Sequence, residues 1–211
     1  MSAPEFWIVA GPNGAGKTTC AKSEPMSSLL PDVPFLNPDE RTLAKLQSLG
    51  YQGFVDSPAD VQMRFFFESA DEVFADLQKA ISTNTPVGVE TVLSSDKYCS
   101  LVETVREKQG FIGLIYVTLA SPLLAMERVA ARVKRGGHGI PEDKIQQRWR
   151  RSLDNLAWFA GRASAFWVID NSVSNPDTAR LLVANGKLGV LEAVSDAAFP
   201  ELKVALSTLP R

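Results

Sequence analysis

The stretch Gly11-Pro12-Asn13-Gly14-Ala15-Gly16-Lys17-Thr18 constrains this chain more than any other. An apolar run, Phe6–Ala10, feeds into it, and a helical stretch leaves it. A G-x-x-x-x-G-K-[ST] pattern between strand and helix lets successive backbone N–H groups curl around phosphate oxygens. Glycines permit the curl, and the N-terminus of the following helix adds its positive end. Gly11, Asn13, Gly14, Ala15 and Gly16 are expected to cradle phosphates, and the contacts continue into Lys17, Thr18 and Thr19. Lys17 is placed to bridge β- and γ-phosphates, and Thr18 to put its hydroxyl on Mg²⁺. No guanine-reading Asn-Lys-x-Asp stretch occurs, which favours ATP over GTP. No Leu-Ser-Gly-Gly-Gln segment marks a transporter-type ATPase subunit.

Short apolar runs alternate with helical stretches along the chain, which predicts an α/β fold with a mostly parallel sheet between helical layers. Five strands are expected, at Phe6–Ala10, Pro34–Leu36, Val87–Val92, Phe111–Leu119 and Phe166–Ile169. All but the second are continuously apolar, as strands buried on both faces are. Ser57-Pro58 offers a helix cap followed by a first-turn proline, and Val61, Phe65, Val73, Leu77 and Ile81 then keep one face apolar. Ser121-Pro122 opens another helix in the same way, and a third begins near Pro141. Asn185-Gly186 between Leu181–Ala184 and Leu188–Val194 reads as the turn of a hairpin. A length of 211 residues suits one domain, residues 1–211, with a small β tail over about 179–211.

Composition narrows the partners. A formal charge of −2 with acids and bases interspersed leaves no footprint for a nucleic-acid track. Nothing approaches a membrane span or a signal peptide, and Cys20 and Cys99 lack metal-ligand neighbours. The expectation is a cytoplasmic protein with reduced cysteines, acting on a small molecule.

Asn37-Pro38-Asp39-Glu40-Arg41 follows the second strand. Asn37 as cap, Pro38 in the first turn and Glu40 closing a capping box would account for the helix start but leave Asp39 unused. At the carboxyl end of a strand, where open α/β sheets place ligands, Asp39 could take a proton from an attacking hydroxyl. With strand order 2-3-1-4-5, Glu90-Thr91 ends the strand beside the phosphate loop, so Glu90 would face Mg²⁺ or the hydroxyl; a solvated strand-end acid is the alternative. Asp170 ends the fifth strand, an edge in that order, and Asp170-Asn171-Ser172 either lines the nucleobase side or turns the chain. Arg128, Arg132 and Arg135 share one helix face with no acid four residues away, so they either meet phosphate or form a solvated face. Gly136-Gly137-His138-Gly139-Ile140-Pro141 then breaks the helix before Arg148 and Arg151 on the next. The whole segment, about 121–161, has the form of a lid, with His138 as a hinge contact.

Taken in order, these motifs and the Val89-Glu90-Thr91-Val92-Leu93-Ser94-Ser95 segment resemble a compact zeta-toxin-type kinase over residues 5 to 172. The resemblance implies an adenylate-kinase-like phosphate-loop fold and transfer of the γ-phosphate of ATP to a sugar hydroxyl of UDP-N-acetylglucosamine. It further implies a toxin restrained by an antitoxin. Carried over motif by motif, Lys17 and Thr18 would hold ATP and Mg²⁺, and Asp39 would be the base. Glu90, Thr91 and Arg41 would contact the acceptor, and Arg128 and Arg132 the transferring phosphate. The chain is shorter than the larger toxins, whose extra segments help hold the nucleotide-sugar. A kinase for another small molecule fits the same phosphate loop, as does a nucleotide-dependent switch. A switch needs no general base, so Asp39 discriminates.

Overall fold

The computed structural model describes residues 3–21, 26–173 and 181–211. Its strands are β1 (Glu5–Ala10), β2 (Phe35–Leu36), β3 (Val87–Thr91), β4 (Phe111–Thr118), β5 (Ala165–Asp170), β6 (Leu181–Lys187) and β7 (Val190–Val194). They form one sheet in the order β2-β3-β1-β4-β5-β6-β7. The first five in that order run parallel, and β6 and β7 are antiparallel additions. β1 is central, with Ala10 opposite Thr91 of β3 on one side and opposite Tyr116 of β4 on the other. Both β1 and β4 are buried at successive positions, so both faces of the sheet are covered.

The sheet therefore has seven strands where five were expected, and β5 is an interior strand, not an edge. The residues expected to form a separate β tail extend the main sheet instead; of that segment, 179 and 180 lie outside the described residues. The hairpin turn also falls elsewhere. Asn185 and Gly186 sit inside β6, paired with Trp167 and Phe166 of β5, because that tertiary ladder carries β6 through to Lys187. The chain reverses at Leu188-Gly189, both with positive φ (50° and 76°), the form a two-residue hairpin turn takes. Beyond β7, helix α8 (Pro200–Leu206) packs back on the sheet's helical cover, with the Phe199 and Trp149 rings 6.4 Å apart.

The remaining helices are α1 (Lys17–Cys20), α2 (Met26–Leu29), α3 (Pro38–Ser48), α4 (Ala59–Ser82), α5 (Cys99–Glu107), α6 (Pro122–Val133) and α7 (Glu142–Ala160). Two expected caps form. Asn37 Oδ1 accepts from the Asp39 N–H at 2.9 Å, and Ser121 Oγ from the Leu124 N–H at 3.2 Å; each is worth about 1 kcal/mol. Ser57 does not cap α4. Pro58 holds the cap position, the Ser57 hydroxyl is buried without a hydrogen-bond partner, and Gln62 Nε2 instead ties the entry through the Phe54 and Ser57 carbonyls. The core face of α4 is Phe65, Ser69, Val73, Leu77 and Ile81. In α7, Ile145, Trp149, Leu153, Leu156 and Ala160 are buried, and Trp149 Nε1 donates to the Leu119 carbonyl at the end of β4. Among the described residues no helix is long and apolar enough to cross a membrane.

Candidate active site

The loop after β1 closes on itself. Gly11 adopts φ 144°, and a Cβ there would stand 2.0 Å from the Val117 carbonyl oxygen, so only glycine fits against β4. Gly16 precedes α1 in the left-handed region, at φ 80°. Lys17 is buried, with its Nζ donating to the carbonyls of Gly11 (3.0 Å) and Pro12 (3.4 Å). Burial holds its pKa below the ordinary lysine value, against the opposing pull of the Glu90 and Asp39 charges. Asn13 Oδ1 is likewise buried and has no hydrogen-bond partner among the described residues. A buried cation set in a glycine-rich backbone loop fits a polyanion.

Parallel pairing of β3 with β1 sets Glu90 next to that loop. Thr18 Oγ1 lies 3.0 and 3.2 Å from the two Glu90 carboxylate oxygens and donates to them. Burial pushes the Glu90 carboxyl up, offset by Lys17 and the Thr18 hydrogen bond. A neighbouring hydroxyl and carboxylate suit Mg²⁺, which typically takes one or two protein oxygens and fills its octahedron from phosphates and water. No group of three or more His, Cys, Asp or Glu side chains able to hold a metal occurs among the described residues.

These groups open into one cleft of about 910 Å³. Lys17, Thr18, Glu90, Thr91, Asp39, Arg128 and Arg132 all line it. Asn13, Gly14, Gly16 and Thr19 also border it, whereas Gly11 and Ala15 build the loop behind it. Arg128 donates to the Val173 carbonyl at 3.3 Å. Arg132 donates from Nη2 to the His138 carbonyl at 2.8 Å, and its Nε is buried without a hydrogen-bond partner. Arg135 and Arg148 reach the cleft as well, but Arg151 does not.

One expected acceptor contact is elsewhere. Arg41 pairs with Asp76 at 2.8 Å and Glu72 at 3.7 Å on α4, strapping α3 to that helix outside the cleft. The partners arrive from a helix distant in sequence, which the Asn-Pro-Asp-Glu-Arg motif does not reveal. Glu40 forms no reciprocal bond to Asn37 among the described residues, so the cap is a single bond. His138 packs against Phe66 (centroids 4.3 Å) and Phe54 (5.1 Å). Burial lowers its pKa, opposed by Asp39 and reinforced by Arg132 and Arg148.

The contact made by Asn171 and the place of Tyr98 escaped the sequence reading. Asn171, just beyond β5, donates from Nδ2 to the Ala15 carbonyl at 2.7 Å and so clamps the phosphate loop, while Asp170 turns the chain by accepting from Ser172. Tyr98 lines the cleft, 5% exposed, its phenol pushed up to about 12 by burial and by the Asp39 charge. Only the strand order, which brings distant strand ends together, makes either visible.

Sheet order and loop together define an α/β protein of the phosphate-loop class. No protein-family model and no curated protein sequence matches the chain. Among solved structures it is similar to the AvrRxo1-ORF1:AvrRxo1-ORF2 complex with sulphate ions, at TM-score 0.67 and 16% identity over 92% of this chain and 62% of that one. The same complex with ATP gives 0.66 and 16% over 91% and 61%, so this chain spans about three-fifths of that protein's length. The PezAT toxin–antitoxin system of Streptococcus pneumoniae gives 0.55 and 14% over 81% and 69%. At such identities the likeness is one of fold.

Proposed function

We propose that this protein is a kinase that moves the γ-phosphate of ATP to a hydroxyl of a small-molecule acceptor. The observation that carries the reading is the convergence of Lys17, Thr18, Glu90, Asp39 and Arg132 on one cleft. Lys17 and the loop N–H groups bind the β- and γ-phosphates. Thr18 and Glu90 hold Mg²⁺, which supplies charge neutralisation on the transferred group. Asp39 accepts the proton of the acceptor hydroxyl as its oxygen bonds to the γ-phosphorus and the bond to the bridging oxygen breaks, releasing ADP. Arg132 stabilises the charge that develops on the transferring oxygens, and Arg128 supports it. The α6–Gly136–α7 segment acts as a lid that excludes water.

The motif order and the fold shared with the PezAT system favour a toxin restrained by an antitoxin, with a nucleotide-sugar such as UDP-N-acetylglucosamine as acceptor. Incubating the protein with ATP, Mg²⁺ and a bacterial metabolite extract, then identifying any phosphorylated species by mass spectrometry, tests the reading. A phosphorylated metabolite formed only with intact Lys17 supports it. ADP formation with no phosphorylated product makes the protein an ATPase switch.

A further inference from the structure

Leu93 lines the cleft with φ 61°, although its side chain is 2% exposed in the core. The left-handed region is costly for a residue with a branched side chain, and such strain persists where the surroundings over-determine it. Here the constraints are visible. The Leu93 N–H donates to Thr91 Oγ1 at 3.3 Å. Its carbonyl accepts from Asn155 Nδ2 at 2.9 Å. The preceding Val92 carbonyl accepts from Ser152 Oγ at 2.7 Å. Ser152 is fully buried 2.9 Å from the Tyr116 hydroxyl, and since its one proton goes to Val92, Tyr116 is the donor to it. Downstream, Lys97 Nζ fixes the segment to α4 through the Ala70 carbonyl at 2.8 Å and Asp71 at 3.3 Å.

Both carbonyl clamps come from α7. Ser152 lies four residues after Arg148 and Asn155 three further, so all three share one helix face. Arg148 lines the cleft, while Ser152 and Asn155 grip the Val92 and Leu93 carbonyls of the Thr91–Ser95 wall, which lines the same cleft as Asp39. We infer that Ser152 and Asn155 are positioning residues for the acceptor. They hold the wall against which it lies, and through them the placement of α7 sets the shape of that wall. Calling its occupant the acceptor rests on the kinase reading; the clamp does not.

The test uses the full chain with Asn155→Leu, which keeps bulk and removes the donor, and Ser152→Ala as an independent second variant. Three measurements are made: amide hydrogen exchange over residues 91–98, calorimetric titration with ATP and Mg²⁺, and transfer of labelled γ-phosphate into a bacterial metabolite extract at graded dilution. Exchange over the segment rises about tenfold or more, since removing a clamp lowers the local opening free energy. ATP affinity stays within about twofold, and the half-saturating extract concentration rises about tenfold with a much smaller change in saturated rate. A merely structural role would lower ATP affinity and transfer together, and that result, or unchanged exchange across the segment, overturns the assignment. Wild-type protein that transfers nothing into the extract overturns the kinase reading instead, while exchange and ATP affinity still decide whether the clamp holds the wall.

Discussion

The two walls of the cleft are built by different means. On the phosphate side, the loop is held by its own backbone, by the Lys17 ammonium on the Gly11 carbonyl and by the Asn171 clamp on Ala15. Its position follows from the pairing of long central strands. On the side proposed for the acceptor, Asp39 follows a strand of two residues, and the backbone at Val92 and Leu93 is held by side chains from α7. His138 packs its ring against Phe54 and Phe66. The phosphate wall is thus a local motif locked by the sheet, and the acceptor wall is an assembly of distant segments.

Removing the charge at the centre of the phosphate wall has the largest expected effect. Lys17→Ala lowers ATP affinity by about a hundredfold or more, as loss of charge-assisted hydrogen bonds to a buried anion does, and calorimetry reads it directly. Affinity close to wild type would remove the premise that the two walls have separate tasks.

Arg132 lines the cleft and is bonded to the His138 carbonyl. Arg132→Ala slows transfer by about 10²–10³-fold, because it acts on charge that develops during transfer, while ATP affinity falls far less. Equal losses in both would move Arg132 wholly to the nucleotide side.

A smaller effect is expected in pH dependence. Burial holds the folded-state pKa of His138 below its ordinary value of 6.5, so the folded protein binds this proton less readily than the unfolded chain. The neutral imidazole costs nothing above that value, and stability is lost as pH falls through and below 6.5. His138→Phe removes the group, so the melting temperature of the variant gains on wild type as pH drops. Parallel curves would mean that the ring sits in a more open environment.

The smallest effect belongs to Arg41. Its ion pairs with Asp76 and Glu72 are partly exposed, so Arg41→Ala costs at most about 1 kcal/mol in unfolding free energy. Transfer activity stays near wild type. A large rise in the half-saturating acceptor concentration would return Arg41 to the acceptor wall.

The same contrast explains what could be read from the chain. Gly11–Thr18 and the Asn37 and Ser121 caps are written in contiguous residues, so they are legible, whereas the order 2-3-1-4-5 entered only as a condition, which the observed sheet meets for those strands. The Asn185-Gly186 turn signal misleads because pairing with β5 outweighs a local preference. Ser57 resembles a cap, yet its side chain is buried and Gln62 performs the local bonding. Arg41, Asn171 and Asn155 act on partners far along the chain, and nothing in their immediate neighbours announces those partners.

The central claim, that the cleft carries a general base and the protein is more than a nucleotide switch, rests on Asp39. Its backbone N–H makes the cap with Asn37, so Asp39→Asn preserves that bond and the shape of the side chain while removing the basic site. Positioned acid–base groups contribute ~10²–10⁴-fold. Rates of acceptor phosphorylation in the metabolite extract should fall by that factor, with ATP affinity and melting temperature close to wild type. Full transfer activity in Asp39→Asn would contradict the account and make Glu90 the next candidate for the base.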